Sequence, residues 1–269
     1  LKFIGDDVTS NSTLLNKKML LDYLDSLKVG NKTYNNAKSN LSALLSVMVD
    51  KEYIKKNFVK DIKNLKETPK INKAFTQQEI TLLFEHLKDN DVILYYYCLH
   101  IYYGLMRPIT INRIRVKDID LENKSLTTET KTGNYLKIIP EILYNEFYNG
   151  LELTDSDNYL FAYNCLLMDW DAEDLNRRDH YTKKFLKVKK SLGFDKNYTL
   201  YSFRHSAIGQ IYDNKYKELK DKGVSDYRIE AIKYIMQFTE HKTIDNVKKY
   251  LRGITTVVHV DWSKHLNKS

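Results

Sequence analysis

Five side chains have types and surroundings suited to holding an anion and acting on it: Arg107, Lys131, Arg204, His241 and Tyr250. Of the 43 lysines and arginines only eight are arginine, so their positions carry information. Arg107 follows an apolar run and precedes Pro108, a residue favoured at the first turn of a helix. That setting puts a guanidinium beside free backbone N–H groups at a helix N-terminus, where phosphate binds readily. Arg204 lies in "YTLYSFRHSAIGQIYDN", residues 198–214, near the start of a helix with an inward face of Phe203, Ala207, Ile208 and Ile211. Its side chain is therefore expected to be held by packing. Lys131 falls in a hairpin turn, from which a long side chain reaches a ligand lying over the sheet. His241 and Tyr250 close the set, with Lys248 and Lys249 just before the tyrosine. Each has a plainer reading. An arginine at a buried helix end is often a structural ion pair or carbonyl cap, a hairpin lysine is usually solvated, and one tyrosine among 21 says little alone.

The elements that must position these residues are mostly helices. Apolar residues Tyr34, Ala37, Leu41, Leu44 and Met48 step by three and four, which predicts one buried stripe with an Asn, Ser and Lys face opposite. Leu14, Leu20, Leu21, Leu24 and Leu27 predict an earlier helix ended by Gly30. Pro69 interrupts the pattern, and Thr76-Gln-Gln-Glu79 restarts it as a capping box ahead of Ile80, Leu83, Phe84 and Leu87. The division expected is a helical domain over 1–66, a linker over 67–74 and a second domain over 75–269 that ends in a tail. Val92 to Met106 carries no formal charge but is too short to span a membrane, and reads as a buried central helix. "SLTTET" and "YLKIIP" flank the turn Lys131-Thr132-Gly133-Asn134 and predict a β-hairpin. The fold class expected is thus mainly α with a small antiparallel β-sheet, in two domains.

Composition limits the alternatives. A chain of 269 residues with 42% hydrophobic content and few Gly and Pro is globular, neither disordered nor fibrous. The net charge of +8 favours a polyanionic partner, nucleic acid or an anionic membrane surface, and over half of that surplus lies within residues 1–72. Lys183, Lys184, Lys187, Lys189 and Lys190 form the densest basic run, a phosphate-contacting strip or a solvated helix face. Cys98 and Cys165 make neither a disulfide framework nor a zinc spacing, and read as reduced core residues of a cytoplasmic protein. "LKFIGDDVTS" at the start lacks a basic region followed by an apolar run, so no export signal is expected.

The order and spacing of the five residues carry a resemblance. "YYGLMRPITINRIRVKDIDLENKSLTTETKTGNYLKIIP" resembles the start of the catalytic domain of tyrosine recombinases, the phage and transposon integrase family. There a Gly-Leu-Arg or Gly-Met-Arg turn precedes a helix, an "L-x-x-DID" type strand and a lysine hairpin. "LYSFRHSAIGQIY" resembles that family's second arginine box, and "FTEHKTIDNVKKYL" its closing box, with Tyr250 nine positions after His241. Residues 20–63 look like its helical, SAM-like core-binding domain, and "KAFTQQEI" like the opening of its catalytic domain. The likeness runs over roughly residues 12 to 252.

What the resemblance implies is a site-specific DNA recombinase, the integrase of a phage or mobile element. It would cleave and rejoin double-stranded DNA through a 3′-phosphotyrosine at Tyr250. Arg107 and Arg204 would clamp the phosphate, Lys131 would protonate the leaving 5′-oxygen, and His241 would hydrogen-bond the phosphate or assist the tyrosine. Neither cofactor nor metal is implied. The tail after Tyr250 is long enough to pack on a neighbouring subunit, as in the family's DNA-bound homotetramers, or to fold back on its own domain. The sequence departs from the pattern at Tyr201, where the second box usually begins with His, at Thr110 and Glu240, and in a longer interval between Arg204 and His241. Tyr201 can still hydrogen-bond a phosphate oxygen. Two other readings are a type IB topoisomerase-like nicking and resealing enzyme, and a DNA-binding protein that has lost catalysis.

Overall fold

The computed structural model describes residues 15–67, 72–130, 133–239 and 242–251. The chain divides into two compact units, Leu1–Lys70 and Ile71–Ser269. It is mostly helical, with small antiparallel sheets.

In the first unit α1 (Lys17–Ser26) and α2 (Asn31–Asp50) precede a single 3-10 turn, Phe58–Asp61. Asn16 caps α1 by accepting from the Met19 N–H at 3.1 Å. α1 stops before Gly30, which instead begins α2 as its N-cap. The apolar stripe of α2 is also shifted from the sequence expectation: Leu44 is exposed and Leu45 is buried. Four steps from Leu41 keep a side chain on one helix face better than three do at this point, because the face drifts with the 3.6-residue period. Two asparagines tie the unit together. Asn35 donates to the carbonyl of Leu65 at 2.8 Å and accepts from its N–H at 2.9 Å, while Asn57 donates to the Ser42 carbonyl and the Ser46 hydroxyl.

The second unit is organised around α4 (Val92–Tyr102), preceded by α3 (Gln77–Asn90). The capping box at Thr76 is present: its hydroxyl accepts from the Glu79 N–H, and Glu79 returns the bond at 2.7 Å. From α4 the chain turns through Gly104 into the one-turn α5 (Pro108–Ile111) and reaches a three-stranded antiparallel sheet of β1 (Ile119–Asp120), β2 (Ser125–Thr130) and β3 (Gly133–Ile138), in that order. The β2–β3 ladder runs to the pair Thr130–Gly133. Gly133 and Asn134 are thus the first residues of β3 and not part of the turn, and Lys131 and Thr132 lie outside the described residues. α6 (Glu141–Leu143) continues into a π turn, and β4 (Tyr159–Phe161) pairs with β5 (Leu166–Met168). The unit is completed by α7 (Asp174–Ser191), α8 (Leu200–Asp221), α9 (Tyr227–Thr239) and the short α10 (Ile244–Lys248).

Aromatic rings fill this core. Tyr97 and Tyr181 stack at 4.1 Å between α4 and α7, and Phe84 and Phe203 stack at 5.5 Å between α3 and α8. Such pairs add about 1 kcal/mol each beyond their area. Cys98 is buried among them, but Cys165 is only partly covered, beside β5 and not in the core. The basic run on α7 is not one strip. Lys189 is buried and donates to the carbonyls of Asp195 and Tyr198, and Lys184 pairs with Asp91 at 2.8 Å; Lys183, Lys187 and Lys190 remain exposed. Carbonyls just beyond the end of α7 take Lys189, whose stem packs on its own helix, and a carboxylate takes Lys184, which removes two of the five. Among the described residues no helix is long and apolar enough to cross a membrane, and no group of three or more His, Cys, Asp or Glu is placed to hold a metal ion.

Candidate active site

The turn that carries Arg107 is set by backbone crowding. A Cβ on Gly104 would lie 2.6 Å from the His100 carbonyl oxygen, so only glycine lets the chain leave α4 this closely. Met106 donates back to that same carbonyl at 3.2 Å. Arg107 is then the N-cap of α5 with Pro108 at the first helical position. The buried Tyr97 hydroxyl donates to the Pro108 carbonyl at 2.9 Å, which fixes the backbone beneath Arg107 to the core helix. The helix itself is shorter than its sequence suggests. The N–H groups of Thr110 and Ile111 both bond to the Arg107 carbonyl, so fewer amides face outward than a long helix would offer.

Arg204 is fully buried in the second turn of α8. Taking a guanidinium out of water costs several kcal/mol unless its N–H groups are satisfied. One of them donates to the Thr239 carbonyl at 2.9 Å, at the end of α9. Lys137 from β3 donates to the neighbouring Phe238 carbonyl at 3.0 Å. Two cations from different elements therefore cap the C-terminal, negative end of α9. Glu240 and His241 lie outside the described residues.

Tyr250 follows α10. Thr243 caps that helix, Val247 is buried and anchors it, and the Tyr250 N–H donates to the Val247 carbonyl at 2.8 Å. The half-buried phenol ring has the Arg204 guanidinium carbon 5.7 Å from its centre. On another side its ring lies 4.4 Å from that of His205, with 33° between the planes. Burial pushes the His205 imidazole below its ordinary range, opposed by a hydrogen bond with the Tyr250 backbone and reinforced by Arg204.

Tyr201, in the first turn of α8, lies in the field of both arginines. Burial raises its phenol pKa, Tyr250 raises it further, and Arg107, Arg204 and Arg178 pull it down. All four of those side chains thus act on one hydroxyl, which stays protonated, a donor, at neutral pH. Thr110, at the position where the family pattern often has an acid, is buried within α5. The fold brings Arg107, Tyr201, Arg204 and Tyr250 together. His205 and Arg178 join them without having been singled out for chemistry. His205 stands beside Arg204 in the sequence, but only the packing of α10 against α8 puts it under Tyr250. Arg178 is one charge in a charged helix.

No family model matches the chain, and no curated protein sequence matches it. Solved structures do. A lambda integrase dimer bound to a COC′ core site superposes with a TM-score of 0.60 at 15% identity, over 91% of this chain and 66% of that one. The Tn1549 transposon integrase in complex with circular intermediate DNA gives 0.56 at 18%, over 94% and 84%. A lambda integrase tetramer bound to a Holliday junction gives 0.59 at 14%, over 86% and 65%. This chain therefore spans just under two thirds of the length of two of these integrases. Its fold is that of the tyrosine recombinases.

Proposed function

We propose that this chain is a site-specific DNA recombinase, an integrase of a phage or mobile element, working in the cytoplasm on double-stranded DNA. The observation that carries the reading is the buried Arg204 guanidinium beside the Tyr250 ring, with the Tyr201 hydroxyl in the field of both arginines. In this reading the Tyr250 oxygen bonds to a DNA phosphorus in line as the bond to the 5′-oxygen breaks. A 3′-phosphotyrosine forms, and the bond energy is stored for rejoining. Negative charge grows on the non-bridging oxygens, where Arg107 and Arg204 present planar paired donors and Tyr201 a phenolic O–H. Lys131 gives its proton to the leaving 5′-oxygen, and His241 hydrogen-bonds the phosphate or takes the tyrosine proton. The first unit serves as the core DNA-binding domain, and the tail after Tyr250 links subunits into a homotetramer on DNA. No metal or cofactor has a part in these steps.

A nicked DNA duplex carrying the element's own end junction, incubated with wild type and with Tyr250→Phe and run on a denaturing gel, tests the assignment. A covalent protein–DNA band in wild type only supports it. The second reading, DNA binding without catalysis, rests on Tyr201 standing where the family usually has His and on Glu240 standing where it usually has Gly. It moves ahead if neither protein gives a band while both shift the same DNA on a native gel. Relaxed plasmid without recombinant junctions would instead mark a topoisomerase-like nicking and resealing enzyme.

A further inference from the structure

The recombinase reading leaves one neighbour of the nucleophile without a task. His205 meets the ring of Tyr250 at 4.4 Å and 33°. A cavity of about 620 Å³ opens beside the pair, lined also by Phe75, Tyr102, Gln210 and Asp213. Tyr250 stands beyond the end of α10, a helix of only five residues. The half-buried ring of Tyr250 thus has the Arg204 guanidinium 5.7 Å away and, at 4.4 Å, a histidine built on the 22-residue α8.

We propose that His205 is the positioning residue for Tyr250, its ring forming the wall that keeps the phenol beside Arg204 and out of the adjoining cavity. This rests on the reading of Tyr250 as nucleophile. Beside the hydrogen bond to the Tyr250 backbone the contact is ring against ring, and it is the ring that confines the phenol, so a flat apolar ring should serve and a small side chain should not. Without the wall the phenol swings into the cavity. A displacement of about 1 Å from in-line geometry is enough to slow a positioned reaction by about 100-fold. DNA affinity, set by phosphate contacts elsewhere, is unaffected.

The test compares wild type, His205→Ala and His205→Phe in the full chain. At saturating nicked DNA, His205→Ala should form the covalent band about 100-fold more slowly with DNA affinity unchanged, and His205→Phe should recover to within about threefold of wild type. In parallel, nitration by tetranitromethane in the absence of DNA, mapped to Tyr250 by mass spectrometry, should be faster in His205→Ala than in wild type and restored in His205→Phe. The proposal is overturned if alanine leaves the covalent rate intact, or if phenylalanine is as slow as alanine while both stay folded. Should wild type form no covalent band, the nucleophile reading falls, and nitration alone decides: equal rates in wild type and His205→Ala overturn the proposed contact, and faster nitration in His205→Ala upholds it.

Discussion

The two units hold themselves together by different means. The first has two small apolar clusters, one around Leu45 and Val59 and the other around Leu24 and Tyr34. Buried Asn35 and Asn57 close its chain ends and turns by bonding to backbone and serine groups. The second has one large aromatic core, continuous from Phe75 to Val247. A small unit buries too little apolar surface to order its loops by packing alone, so polar side chains supply the closure. A large core packs tightly enough to enclose groups that would otherwise be costly: a whole guanidinium at Arg204 and a neutral imidazole at His100. The difference teaches why the proposed chemistry belongs to the second unit. A charge can be preorganised for catalysis only where the surroundings leave it nowhere else to go.

The largest expected break in this comparison comes from Arg204→Ala. It should remove about 3 kcal/mol of transition-state stabilisation, roughly a 100-fold slower covalent band, with DNA binding kept within a few fold. Equal loss of binding and cleavage in gel assays would show that Arg204 is structural. Acid should expose the second buried group. His100 donates from one ring nitrogen to the Tyr96 carbonyl and accepts from the Tyr148 hydroxyl, both at 2.7 Å. This neutral tautomer follows from the partners. Burial lowers its pKa to about 4. A histidine depressed in the folded state costs nothing above its unfolded pKa, and the cost grows as pH falls toward the folded one. Urea unfolding of the second unit should therefore lose about 2 kcal/mol between neutral pH and about pH 5. His100→Phe, which cannot titrate, should flatten that slope.

In the first unit Asn35→Ala should cost about 1 kcal/mol, because it leaves the part-buried N–H and carbonyl of Leu65 without their partner. Fluorescence- or circular dichroism-monitored unfolding should show an earlier transition for that unit and an unchanged one for the second. A shift of both together would mean that the units do not unfold separately. An effect of similar size is expected from Thr76→Ala. It removes a cap from α3 and should lower the stability of the second unit by about 1 kcal/mol in the same measurement.

Much of this was legible in the sequence where a few neighbouring residues decide the outcome. The capping box at Thr76 and Glu79 closes within one turn. Gly104 and Pro108 frame the Arg107 turn by sterics alone. The hairpin was visible from its strands, though its turn was read two residues too long, because pairing of Thr130 with Gly133 depends on the whole ladder. The helix of Tyr34 to Met48 was clear by period, but not whether Leu44 or Leu45 would face inward, since both lie near the edge of the stripe. Lys189 read as surface charge and is buried, because carbonyls from the loop after α7 converge on it.

The sequence by itself therefore determined the helices, the hairpin and the order of Arg107, Lys131, Arg204, His241 and Tyr250, since local hydrogen bonding and the apolar period act over a few residues. Only the tertiary structure decided that Arg204 lies under the end of α9 and that His205 lies against Tyr250. Those partners are separated in sequence by whole helices. Their meeting depends on helix lengths and on how α8, α9 and α10 pack, which no short stretch of residues encodes.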